Sequence, residues 1–206
     1  MKPTPILVNA LTICLALTGG VHGAAAPTPD PLFDLQAIRT EPVAYEVLET
    51  ETVEGIVFEH FEFTSRMTNN APERVYGIYA YPEGGRDLPA VFWCQGGMAA
   101  ANRQFPRIFA DKGYACLAIT LPTKLRNAHR GAFDTADPKS ANLTLLARDQ
   151  LRGVTVLSQR PQVDPECMGV AGASYGGFFA TLIAGVDPRI KAGFSFFGAG
   201  HHELGS

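Results

Sequence analysis

From Leu88 onward the chain alternates between short, mostly apolar runs and longer amphipathic stretches. Residues 88–94, 114–121, 167–171 and 191–197 are the apolar runs, bounded by glycine, proline or polar clusters. A run with no polar face fits a strand covered on both sides, as in a parallel sheet. Between the runs, 104–112, 139–159 and 175–186 read as helices. Residues 139–159 are the clearest of these, with Leu143, Ala147, Leu151, Val154 and Leu157 near a 3.6-residue period and no internal proline. Upstream, 52–63 and 74–81 mix β-branched and aromatic residues with charges in rough alternation, the pattern of two half-exposed antiparallel edge strands. His60 falls in the first of them and reads as a half-packed edge residue. Together these elements predict an α/β fold, a mostly parallel sheet with helices on both faces and antiparallel strands at its N-terminal edge.

The first residues stand outside that pattern. Lys2 precedes an apolar run from Ile6 to Leu17, then Gly19, Gly20 and the small residues before Ala26. This is the layout of an export signal. The run is shorter than the roughly 20 apolar residues needed to span a bilayer, and Asn9 and Thr12 interrupt it. We therefore expect a signal peptide at 1–23, a connecting leader at 24–51, one domain at 52–206, and a secreted or periplasmic location. A formal charge of −3 without a basic cluster provides no electrostatic footprint for nucleic acid or an anionic membrane surface. Beyond Cys14, which lies in the signal, Cys94, Cys116 and Cys167 are an odd number without Cys-x-x-Cys spacing, so they read as buried thiols. Asn142-Leu143-Thr144 has the glycosylation sequon but lies in an expected helix. The polar loop 122–138 follows the carboxyl end of an expected strand, where ligands bind in open α/β sheets, and it could line a pocket or be solvated.

The candidate chemistry lies where the run 167–171 meets the helix 175–186. Gly172, Ser174 and Gly176 have the Gly-x-Ser-x-Gly spacing of a nucleophile elbow. A serine on a sharp strand-to-helix turn projects its Oγ into the open, and the flanking glycines let the two backbones pass closely. The Tyr175 N–H then opens a helix, aimed where an oxyanion forms. At the end of 88–94, Gln95-Gly96-Gly97-Met98 supplies a second glycine turn. Read alone it serves strand-to-helix geometry, and a donor role for the Gly97 or Met98 N–H enters only with the resemblance that follows.

On these motifs, with Asp164-Pro165 before the elbow and Asp187-Pro188-Arg189 after it, the chain resembles the α/β-hydrolase superfamily over roughly 52–200. Within it the sequence looks like the acetylxylan-esterase and dienelactone-hydrolase-like group, and it is also similar to the catalytic domain of prolyl-oligopeptidase-type peptidases. The resemblance implies Ser174 as nucleophile and the Tyr175 and Gly97 amides as oxyanion donors. It places Met98 at the substrate, and glutamine at 95 stands where histidine is common. It also implies an acid and then a histidine after the serine. Only 32 residues follow Ser174, with Asp187, Glu203, His201 and His202 among them. His201 reads as pocket lining, and the expected triad partners and last strands lie beyond residue 206, in a longer protein. The implied activity is a secreted serine carboxylesterase for acetyl or other short acyl esters, on small-molecule or carbohydrate substrates, with no cofactor. A prolyl-oligopeptidase-type peptidase and a chain without turnover are the alternatives. Such peptidases usually carry a propeller before the hydrolase, for which the stretch ahead of Leu88 is too short.

Overall fold

The computed structural model describes residues 32–121, 139 and 141–198. The expected export signal, the polar loop 122–138 and His201 lie outside the described residues. Among the described residues, seven strands form one sheet: β1 (Tyr45–Val53), β2 (Ile56–Thr68), β3 (Ala71–Pro82), β4 (Leu88–Cys94), β5 (Ala115–Thr120), β6 (Val163–Ala173) and β7 (Ile190–Phe196). Their order is β1-β2-β3-β5-β4-β6-β7. β1, β2 and β3 form an antiparallel meander, and β3 joins β5 antiparallel, with Tyr76 opposite Thr120. β5, β4, β6 and β7 run parallel, so their carboxyl ends share one edge of the sheet.

Helix α2 (Gln104–Ala110) covers one face. Trp93 stacks on Phe105 there with ring centroids 3.6 Å apart, and Val91, Cys116, Ala118 and Ala171 complete that side of the core. The other face carries α1 (Leu35–Thr40), α3 (Asn142–Ser158) and α4 (Tyr175–Val186) over Phe92, Leu117, Ile119 and Val170. α3 is buried on more than its sheet side. Arg152 donates to the carbonyls of Ile38 and Glu41, both at 3.0 Å, and the Thr155 hydroxyl donates to Ile38 O at 2.7 Å. These bonds satisfy carbonyls that the end of α1 leaves without helical partners.

Several expectations change, among them the covered strand at 191–197, because β7 lies at the edge of the sheet and is exposed along most of its length. The stretch read as a connecting leader carries α1 and β1, and the single strand expected at 52–63 is split by a turn at Glu54-Gly55, both with positive φ. β3 is not an edge strand, because β5 pairs with its outer side. β6 begins at Val163, four residues before the apolar run. Its Asp164-Pro165-Glu166 segment fits because the ladder with β4 jumps from Leu88↔Val163 to Ala90↔Met168, leaving the proline where no regular ladder bond is needed. β4 and α4 have the expected bounds.

Candidate active site

β6 delivers the chain to the carboxyl edge of the sheet and α4 takes it away, with Ser174 as the single residue between them. Its backbone is at φ 55°, ψ −120°, a region that a residue with a β-carbon occupies only when its surroundings impose it. The surroundings here are specific. Ser174 N–H donates to Phe196 O on β7 at 2.7 Å, and Ser174 O accepts from Phe178 N–H at 3.1 Å as the first α4 bond. A β-carbon on Gly176 would collide with the Cys94 carbonyl oxygen and lie 2.7 Å from its carbon. One on Gly172 would collide with Gly176 O and lie 2.9 Å from Cys94 Cβ. The two glycines thus let β4, β6 and α4 meet at van der Waals limits and hold the serine in its strained turn. Ser174 itself is exposed.

The second glycine turn faces this elbow. Gly96–Met98 forms one turn of 3-10 helix closed by Ala99 N–H to Gly96 O at 3.0 Å, and Gly97 sits at φ 59°. A β-carbon on Gly96 would lie 2.7 Å from Ala173 O and 3.8 Å from Ser174 Cβ, so the turn and the serine are immediate neighbours. The structure therefore brings together Ser174, the Tyr175 amide at the start of α4, and the Gly97-Met98 backbone. Backbone amides beside an exposed serine, where they point at one spot, can stabilise negative charge on the oxygen of a carbonyl under attack. The Gln95 side chain is buried and its Oε1 accepts from Trp93 Nε1 at 3.2 Å. It supports the strand end, consistent with a donor role for the backbone alone.

The remaining polar groups sort away from this chemistry. Asp187 is buried just past the far end of α4, with the twelve residues of that helix, about 18 Å, between it and Ser174. Both its oxygens hold Arg189, at 3.0 and 2.6 Å, so it fixes the α4–β7 corner. His60 is the one histidine among the described residues, and it faces Arg103 and Tyr76. Burial pushes the Cys94 and Cys116 thiols far above their usual range, which leaves them inert. Among the described residues no group of three or more His, Cys, Asp or Glu is placed to hold a metal ion. A cavity of about 690 Å³ lies between α1, the end of β2 and α3, lined by Arg66, Arg148 and Arg152 among others. β2 is four strand steps from β6, roughly 19 Å, so this cavity is not the space in front of Ser174. The residues that the sequence singled out, Ser174, Tyr175 and Gly97, lie on adjoining turns in the structure. Sequence reasoning missed Gly96 and Cys94 as packing partners of the elbow, because their contact joins separate strands.

The profile of the prolyl oligopeptidase family (Peptidase S9) matches residues 139–196, from α3 through β7. Dipeptidyl-peptidase 5 of Porphyromonas endodontalis is 31% identical over 129 residues, covering 57% of this chain and 18% of that protein. Among solved structures, the acetyl xylan esterase from Paenibacillus sp. R4 matches with a TM-score of 0.60 at 21% identity, over 77% of this chain and 55% of that one. Acetyl xylan esterase 1 from Thermoanaerobacterium sp. JW/SL YS485 matches with a TM-score of 0.60 at 19% identity, over 79% and 56%. The chain thus spans about half the length of these structural relatives and under a fifth of the curated one. The strand order, the strained serine between β6 and α4, and these likenesses together identify the α/β-hydrolase fold.

Proposed function

We propose that this chain is the nucleophile-bearing part of an exported serine hydrolase that removes acetyl or other short acyl groups from esters, including carbohydrate-linked ones. The observation that carries the reading is Ser174 at φ 55°, ψ −120°, exposed beside the Gly96–Met98 turn. Ser174 Oγ attacks the acyl carbonyl carbon, and the carbonyl oxygen gains charge against the Tyr175 and Gly97 amides. The C–O bond to the alcohol then breaks, the alcohol leaves with a proton, and water releases the acyl group from Ser174. The base and its orienting carboxylate are not among the described residues. His201 is proposed to line the pocket, and Met98 to contact the acyl group. The chemistry calls for no cofactor.

The acyl-ester reading over peptide cleavage is supported by the esterase structures that align with more than three-quarters of this chain. Peptide cleavage of the prolyl-oligopeptidase kind remains a second reading because the family match and the dipeptidyl-peptidase likeness point to it. Turnover of p-nitrophenyl acetate against a dipeptidyl p-nitroanilide by the folded protein separates the two. Ester hydrolysis that disappears in Ser174→Ala, with little anilide cleavage, is the expected result. Preferential anilide cleavage would move the assignment to a peptidase, and a folded protein that turns over neither would support the reading without catalysis.

A further inference from the structure

The Gly96–Met98 turn is gripped tightly on its elbow side, yet the segment that leaves it, Ala99 to Arg103, crosses open ground before α2 begins. That segment is anchored at two points. Ala101 N–H donates to Thr120 Oγ1 at the carboxyl end of β5, at 2.7 Å. Two residues on, Arg103 reaches back across the sheet to the meander. Its Nε and Nη2 lie 3.2 and 3.0 Å from His60 Nε2 on β2, its Nη2 is ion-paired with Glu51 on β1, and its guanidinium sits 5.4 Å from the Phe58 ring centre. A guanidinium has donors only, so His60 Nε2 accepts and the imidazole proton rests on Nδ1, which donates to the Tyr76 hydroxyl on β3. Burial raises the Tyr76 phenol, which keeps it protonated as a neutral partner. Tyr76 and Ala101 also pack on one apolar cluster with Phe58 and Ile78.

We propose that His60 and Arg103, backed by Tyr76 and Glu51, are positioning residues that tie the oxyanion turn to the N-terminal meander and so set the Gly97 and Met98 amides against Ser174. This rests on the reading of Ser174 as nucleophile. The arrangement gives the meander a role beyond closing the sheet, since three of its strands each contribute one group to the anchor. Displacing a reacting geometry by about 1 Å costs up to roughly a hundredfold in rate, and a loosened turn acts on the same scale. An ion pair alone would not suffice, because lysine can meet Glu51 but cannot place two N–H groups on the imidazole.

The test follows Ser174 phosphonylation by a fluorophosphonate in the full chain, resolved into a saturation constant and a maximal rate. Amide hydrogen exchange of peptides over 96–104 and 175–186 is measured alongside. His60→Leu and Arg103→Lys are expected to lower the maximal rate roughly tenfold or more with little change in saturation. Both should speed exchange over 96–104 while leaving 175–186 protected. His60→Gln, whose Oε1 replaces Nε2 as acceptor, is expected to recover most of both. Wild-type rate and wild-type exchange in His60→Leu and Arg103→Lys would overturn the proposal. A lowered rate that His60→Gln does not rescue would also count against it. If the wild-type chain does not react at Ser174, these residues do not activate the serine alone, and exchange over 96–104 still decides whether the anchor holds the turn.

Discussion

Replacing Ser174 by glycine should make the protein more stable than replacing it by alanine, although neither variant keeps a nucleophile. Serine and alanine both carry a β-carbon at φ 55°, ψ −120°, and holding such a residue there costs about 1–3 kcal/mol. Glycine removes that strain but loses more backbone freedom on folding, which offsets about 0.5–1 kcal/mol. The Ser174 N–H bond to Phe196 O and its carbonyl bond from Phe178 survive in both variants, so they cancel in the comparison. The net expectation is that Ser174→Gly exceeds Ser174→Ala by about 1 kcal/mol, or about 3 °C in Tm for a domain of this size. Urea unfolding with unchanged m-values, together with thermal melts, measures the difference. A glycine variant equal to or less stable than the alanine variant would refute the idea that the elbow is held under strain by its neighbours.

Other expectations follow from the same contacts. Gly176→Ala should destabilise by at least 1–3 kcal/mol, the usual range for overpacking, because its β-carbon meets backbone of β4 that cannot rotate away; unfolding in urea checks this. Cys94 and Cys116 should resist iodoacetamide in the native protein while the partly exposed Cys167 reacts, as read by peptide mass, and rapid alkylation of Cys94 would show that β4 opens at the turn. Burial raises the Asp149 carboxyl above its ordinary range, outweighing the Arg66 ion pair and the Ser65 hydroxyl that favour its charged form. The native state then binds more protons than the unfolded chain, so this contribution is full below the unfolded carboxyl value and is lost as pH rises through the folded one. The stability of wild type minus that of Asp149→Asn should therefore fall between about pH 4 and the raised native value, and a difference that rises with pH would contradict it.

How much of this was legible in the sequence differs by element. β4, α4 and the serine between β6 and α4 could be read residue by residue, because buried parallel strands are continuous apolar runs and the elbow needs small residues at fixed spacing. β1 could not, since Tyr-Glu-Val-Leu-Glu-Thr-Glu-Thr-Val is exposed along nearly all its length and leaves no buried face to betray a strand. β6 was shortened because Pro165 ends an apolar pattern, whereas the structure absorbs it in a register shift. His60 read as a half-packed edge residue, and its bonds to Arg103 join positions 43 apart, which no local pattern encodes.

The most direct measurement of the central claim is covalent capture. The folded chain is treated with a fluorophosphonate, digested, and the modified peptide sequenced by mass spectrometry. The geometry of the elbow and its facing turn gives one adduct, on Ser174, lost in Ser174→Ala and in urea-unfolded protein. A folded chain that takes the probe up at another residue would contradict the assignment of Ser174 as the nucleophile, and one that takes up none would show that these 206 residues do not activate it.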